Sequence, residues 1–219
     1  MGDETSCARP AVQAVGLTVG YSPDRPVLED VSFHIDGPGV VRLDAPNGSG
    51  KSTLIEAASG YLPPMRGKIL VNGRDAGESE GRTDRRVCRA TPALHPHLSL
   101  ADHLALAADL AGVDRAEPLE RARAYGLCEW SLTRTSALST GTARKLWFVI
   151  CTTGPLRVAL LDEPFNGVDR DSVDLMVDEL NAWARTALVL VVTHTAPPGL
   201  RIVQTLRLDA IPPTPEPSA

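Results

Sequence analysis

VVRLDAPNGSGKSTLIEAASG, residues 40–60, decides the fold. VVRLDA is short and mostly apolar, as a strand would be, and STLIEAASG reads as a helix with Gly60 as its stop. Between them lies a glycine-rich loop, the context in which backbone N–H groups converge on phosphate oxygens at the positive end of a helix dipole. Asn47, Gly48, Ser49, Gly50, Lys51, Ser52 and Thr53 are therefore candidate nucleotide contacts. Lys51 would neutralise the β- and γ-phosphates, and the Ser52 hydroxyl would ligate Mg²⁺. The motif G-x-x-x-x-G-K-[ST] has Ala45 where glycine is expected. If that position requires a positive φ, alanine costs about 1 kcal/mol there.

Upstream, Ala11 to Asp36 alternates apolar and polar residues around the turn YSPDRP, which predicts two antiparallel strands joined at Tyr21 to Pro26. Downstream, KILVNGR predicts a hairpin, and the glycine- and charge-rich stretch from Arg74 to Arg86 a surface loop. From Ser99 to Leu138 the pattern is helical, with Leu100, Leu104, Leu106 and Leu110 spaced as one apolar stripe and Pro118 and Gly126 as breakers between segments. VALLD at 158–162 and ALVLVVTH at 187–194 are near-continuous apolar runs, the mark of strands buried on both faces of a parallel sheet, with Arg170 to Thr186 as the crossover helix. The tail PPTPEPSA at 212–219 is proline-rich and reads as disordered.

VALLDEPFNGVD, at 158–169, delivers two adjacent carboxylates at a strand end. Adjacent residues there point differently, so they can divide labour. Asp162 can hold Mg²⁺, directly or through water, and Glu163 can polarise the water that attacks a γ-phosphate. Behind a phosphate loop at this distance, the pair is a strong signal for nucleotide hydrolysis.

With these motifs in this order, nearly the whole chain resembles an ABC-type ATPase, the nucleotide-binding subunit of an ABC transporter. Tyr21 stands where that family places the aromatic that stacks on adenine, and LSTGT at 138–142 is similar to its signature LSGGQ, keeping Ser139 and Gly141. Asp169 in NGVD matches the D-loop aspartate and His194 in VVTH the switch histidine. The resemblance implies an α/β fold: a P-loop NTPase with a mainly parallel core sheet, an N-terminal antiparallel β subdomain and a helical subdomain, at about 97–143, that carries the signature. One ATPase domain over 1–210 is expected, followed by the tail at 211–219. It also implies ATP and Mg²⁺ as cofactors and a head-to-tail pair of such subunits, homodimer or heterodimer. Ser139, Gly141 and Asp169 of one would face ATP held by Lys51 of the other, and His194 would align the attacking water with Glu163. A separate transmembrane permease completes the expectation and places the chain at the cytoplasmic face of a membrane. The compact size and the DEPF wording resemble exporter-type subunits, so export is favoured over import. One departure is informative: where the family has a glutamine, four residues before the leucine aligned with Leu94, this chain has Ala90. An alanine methyl reaches neither Mg²⁺ nor water, so slow hydrolysis is expected.

Composition narrows the alternatives. The chain has 219 residues, 43% of them hydrophobic and 22% charged, enough for one generous domain with a core. A formal charge of −5 gives no broad basic field, so nucleic acid is not expected as a partner; Arg82, Arg85, Arg86 and Arg89 make the only local cluster. The four cysteines, Cys7, Cys88, Cys128 and Cys151, show no metal-ligand spacing and read as reduced thiols. The start MGDETSCARP has no apolar h-region, so no signal peptide is expected, and its match to M-G-x-x-x-[ST] through Gly2 and Ser6 reads as chance. No run of eighteen apolar residues occurs, so no membrane span is expected. A nucleotide-binding regulatory module without turnover is the rival reading, and Glu163, which binding alone does not need, argues against it. A ribosome- or DNA-directed ATPase predicts a long coiled-coil insertion, yet only about 90 residues separate Lys51 from Ser139.

Overall fold

Alternation from Ala11 to Asp36 sets the first two strands. The computed structural model describes residues 9–83 and 85–208; Cys7, the Gly2/Ser6 pattern and the proline-rich tail lie outside them. Strand β1 (Ala11–Val19) pairs antiparallel with β2 (Leu28–Asp36). In β1 the buried residues are Val12 and Ala14, then Leu17 and Val19. The ladder shifts register between Ala14 and Leu17, so an extra residue turns both halves of the alternation toward one core. The predicted hairpin forms from β4 (Arg66–Val71) and β5 (Arg74–Asp75), turned by Asn72 and Gly73 at φ 53 and 79. The four strands make one antiparallel sheet in the order β2-β1-β4-β5.

The second sheet is parallel throughout, in the order β6-β7-β8-β3-β9. Its strands are β3 (Gly39–Asp44), β6 (Arg85–Cys88), β7 (Val158–Asp162), β8 (Leu188–Val192) and β9 (Ile202–Arg207). The apolar runs in β3, β7 and β8 serve two cores, because successive side chains leave opposite faces. Val41, Leu43, Val158, Leu160, Leu188, Leu190 and Val192 pack with α1 (Lys51–Ala58) and the antiparallel sheet. Val40, Ala159, Leu161, Val189 and Val191 pack on the other side with α4 (Thr140–Cys151) and α5 (Arg170–Trp183). Helices α2 (Leu100–Ala111) and α3 (Ala116–Ala124) lie against α4 and complete that layer.

Three local expectations need correction, and one strand, β9, was not foreseen. Arg85 and Arg86 belong not to a loop but to β6, whose four residues RRVC pair with β7. The Arg85 guanidinium is buried and donates to the Ala76 carbonyl at 2.6 Å, so charge concealed an edge strand of the parallel sheet. The arginine cluster is thereby dispersed: Arg86 Nε donates to the Thr153 carbonyl and Arg89 pairs with Glu56. Strand β9 pairs only with β3 at the sheet edge and is largely exposed, which deprived it of a continuous apolar run. Pro118 sits in the first turn of α3, where its missing N–H has no helical acceptor to lose, and so it does not break the helix. In α2, Leu100, Leu104 and Ala108 form the buried stripe, while Leu106 and Leu110 face outward, Leu110 at 80% exposure.

Candidate active site

The loop between β3 and α1 requires glycine at its last residue. Gly50 caps α1 at φ 93, and a Cβ there would lie 2.7 Å from Leu28 Cδ2, so any side chain would be both strained and clashing. Ala45 is not among the positive-φ residues, so the expected penalty for alanine does not arise. Its carbonyl accepts from Lys51 Nζ at 2.6 Å, and the Pro46 carbonyl accepts from the same ammonium at 3.0 Å. Lys51 is thus folded over the loop with its charge on two neutral acceptors.

Beside the loop opens a cleft of about 470 Å³, lined by Tyr21, Val27, Asn47, Gly48, Gly50, Lys51, Ser52, Thr53, Ala90, Asp162, Glu163, Val192 and His194. Asp162 ends β7, and its carboxyl is pushed up first by burial, an effect opposed by the neighbouring Ser52 side chain. Its Oδ1 is buried with no partner among the described residues. Glu163 has φ 48, a left-handed conformation that costs an L-residue about 1 kcal/mol. The kink defeats the alternation of a strand, so two adjacent acids face one cleft rather than opposite sides. The Glu163 N–H, donating to the Val192 carbonyl at 2.9 Å, fixes this turn against β8. Glu163 Oε1 lies 3.5 Å from His194 Nε2, and Oε2 is buried without a partner among the described residues.

Desolvated, unpaired carboxylate oxygens beside a serine hydroxyl are a hard-oxygen donor set, which fits a magnesium ion at Ser52 and Asp162. Tyr21 stands at the mouth of the cleft, 64% exposed, with its hydroxyl donating to Glu56 Oε2 at 2.8 Å and lying 3.5 Å from Thr53 Oγ1. Glu56 also pairs with Arg89, whose guanidinium lies over the Tyr61 ring. The aromatic face is therefore anchored through α1 to the end of β6.

Ser139, Gly141 and Asp169 do not line this cleft. Ser139 caps α4, accepting from the Thr142 N–H at 3.1 Å. A Cβ on Gly141 would lie 3.1 Å from the Gly167 carbonyl oxygen, so the loop after Glu163 packs closely on the start of α4. Asp169 caps α5 through the Ser172 N–H at 3.0 Å and pairs with Lys145 Nζ at 3.0 Å. The Ser172 backbone N–H is the main reason its carboxyl is held down to about 2, with Lys145 adding to it. A carboxylate whose folded value lies below its unfolded one stabilises the fold above the unfolded value, and that stabilisation is lost as pH falls through the folded value. Asp169→Ala is expected to cost about 1 kcal/mol at neutral pH in urea unfolding, with the gap closing as pH falls from about 5 towards about 2. An equal gap at both ends of that range would show that the carboxylate charge is irrelevant.

Glu56 and Arg42 escaped sequence reading. For Arg42 a signal existed, a lone cation inside an otherwise apolar strand.

The family model for "ABC transporter" matches residues 28–166. The taurine import ATP-binding protein TauB of Rhizobium johnstonii is 35% identical over 77% of this chain and 66% of its own length. The cytochrome c biogenesis ATP-binding export protein CcmA of a Chelativorans strain is 29% identical over 84% of this chain and 91% of its own. Human ATP-binding cassette sub-family A member 13 is 30% identical over 87% of this chain, which spans only 4% of that protein. A solved ATP-binding subunit of an ABC transporter superposes with a TM-score of 0.75 at 30% identity, covering 84% of this chain and 79% of that one.

Proposed function

Because the chain belongs to the ABC transporter family, as an ATP-binding subunit and an ATPase, we propose that its cleft is half of a composite site, completed by a second nucleotide-binding subunit. One observation carries this reading: Lys51, Asp162, Glu163 and His194 converge on one cleft, while Ser139, Gly141 and Asp169 stay outside it. Residues 1–210 would act as one ATPase domain. The loop N–H groups and Lys51 hold the phosphates, and Tyr21 stacks on the adenine. Glu163 takes up the proton of the attacking water, and His194 keeps that water and Glu163 in line. Ser139 and Gly141 of the partner copy close over the γ-phosphate, with the helix dipole of α4 behind them. A magnesium ion held by Ser52 and Asp162 would neutralise charge building on the phosphates. Ala90 lines the cleft with a methyl that could hold neither a magnesium ion nor a water, so turnover would be slow.

Closing and reopening of the pair would drive a separate permease at the cytoplasmic face of a membrane. No helix among the described residues is long and apolar enough to cross one. We propose as the permease contact an apolar groove of about 260 Å³, lined by Leu106, Leu110, Trp147 and Ile150; Arg86 of β6, the strand leading to Ala90, also borders it. Export rests on the DEPF wording at 162–165 alone, and the relatives include an importer and an exporter. The test is ATP turnover of the purified chain together with light scattering in ATP and magnesium. Turnover with ATP-dependent pairing is expected; a chain that does neither, even beside its permease, overturns the reading.

A further inference from the structure

Strand β3 is buried at Val40, Val41 and Leu43, yet it carries Arg42 between Val191 of β8 and Thr205 of β9. The Arg42 side chain is only 26% exposed, and its Nε is buried with no partner among the described residues. Desolvating a guanidinium is unfavourable, and an aliphatic residue would suit the strand better. What Arg42 does with its charge is specific. Its Nη2 donates to the His194 carbonyl at 3.1 Å and to Asp44 Oδ1 at 3.3 Å. Asp44 lies within 3.9 Å of Arg207 Nε on β9, so its carboxylate is held between two cations beside the first residue of the phosphate loop.

The chain at 193–195 has left β8, and Thr193 Oγ1 donating to the Thr195 carbonyl at 2.9 Å is a bond within that segment rather than a tie to the sheet. Arg42 supplies such a tie, charge-assisted and therefore stronger than a neutral bond. Holding the carbonyl of His194 fixes the backbone from which its imidazole reaches Glu163, 3.5 Å from Nε2 to Oε1.

We infer that Arg42 is a positioning residue for His194, setting the ring against Glu163 from the strand that also presents the phosphate loop. The inference rests on the roles proposed for His194 and Glu163. Its test is a double-mutant cycle of Arg42→Met and His194→Ala, with Arg42→Lys as the conservative variant, reading kcat and KM for ATP. Arg42→Met is expected to lower kcat about 10-fold with KM within about twofold, Arg42→Lys to recover most of it, and Arg42→Met to add nothing in the His194→Ala background. Losses that multiply in the double variant, or a kcat that does not change, overturn the inference. The second measurement does not need turnover: the chain has five histidines, so ring signals of ¹⁵N-histidine-labelled protein are few. The signal absent in His194→Ala should move in Arg42→Met and stay in place in Arg42→Lys; an unmoved signal refutes the contact. A wild-type chain with no turnover would sink the reading of the cleft, and the ring signal would still decide whether Arg42 holds His194.

Discussion

Glu163→Gln is expected to reduce kcat for ATP hydrolysis at least about 100-fold while leaving ATP affinity within about threefold, because loss of a general base removes roughly two to four powers of ten. The geometry makes the effect selective. Glu163 Oε2 is a buried acceptor without a partner among the described residues, and Glu163, turned by its left-handed backbone, lines the same cleft as Asp162. Glutamine keeps the size and the backbone and loses only the basicity. Phosphate release reads the rate, and equilibrium binding of ATP reads the affinity. Light scattering should show the variant pausing as an ATP-held pair, since closure no longer ends in hydrolysis. Wild-type turnover in Glu163→Gln would remove Glu163 from the chemistry and revive a purely binding role for the chain.

Lys51→Ala attacks the other half of the cycle. The Lys51 ammonium now rests on the Ala45 and Pro46 carbonyls, 2.6 and 3.0 Å away, so it is already desolvated from one side and turned over the loop. Moving it onto phosphate oxygens exchanges two neutral acceptors for charged ones, and charge-assisted bonds contribute about 1.5–3 kcal/mol each. Losing that exchange should weaken ATP binding by about 3 kcal/mol, or roughly 100-fold in Kd. Titration calorimetry with ATP and magnesium measures it directly. An unchanged Kd would mean that the loop N–H groups alone hold the phosphates. The two substitutions should also separate in kind: Glu163→Gln keeps ATP and stalls, whereas Lys51→Ala fails to collect it.

Both predictions rest on residues written into short contiguous motifs, and such features were legible before any folding. The loop at 45–53, the acids after VALLD and the buried runs at 158–162 and 187–192 depend on local chemistry: glycine freedom, strand period and the need to bury apolar side chains. Expectations failed where partners distant in the chain set a residue's environment. β6 was hidden because two of its four residues are arginines, one of them buried with a bond to the Ala76 carbonyl, and β9 because an edge strand need not be apolar. Leu106 and Leu110 were grouped with Leu100 and Leu104 in one apolar stripe because helical spacing does not reveal which flank of α2 meets α4. Local motifs were therefore enough to specify a P-loop α/β fold with a parallel sheet and to nominate the residues proposed to bind and cleave a phosphate bond. Three features needed the folded chain: two neighbouring acids share one cleft, Ala45 is unstrained, and Arg42 reaches His194 across 152 positions of chain. The reason is physical: backbone preference acts within a few residues, while a carboxylate's burial and a carbonyl's donor depend on which strands lie side by side.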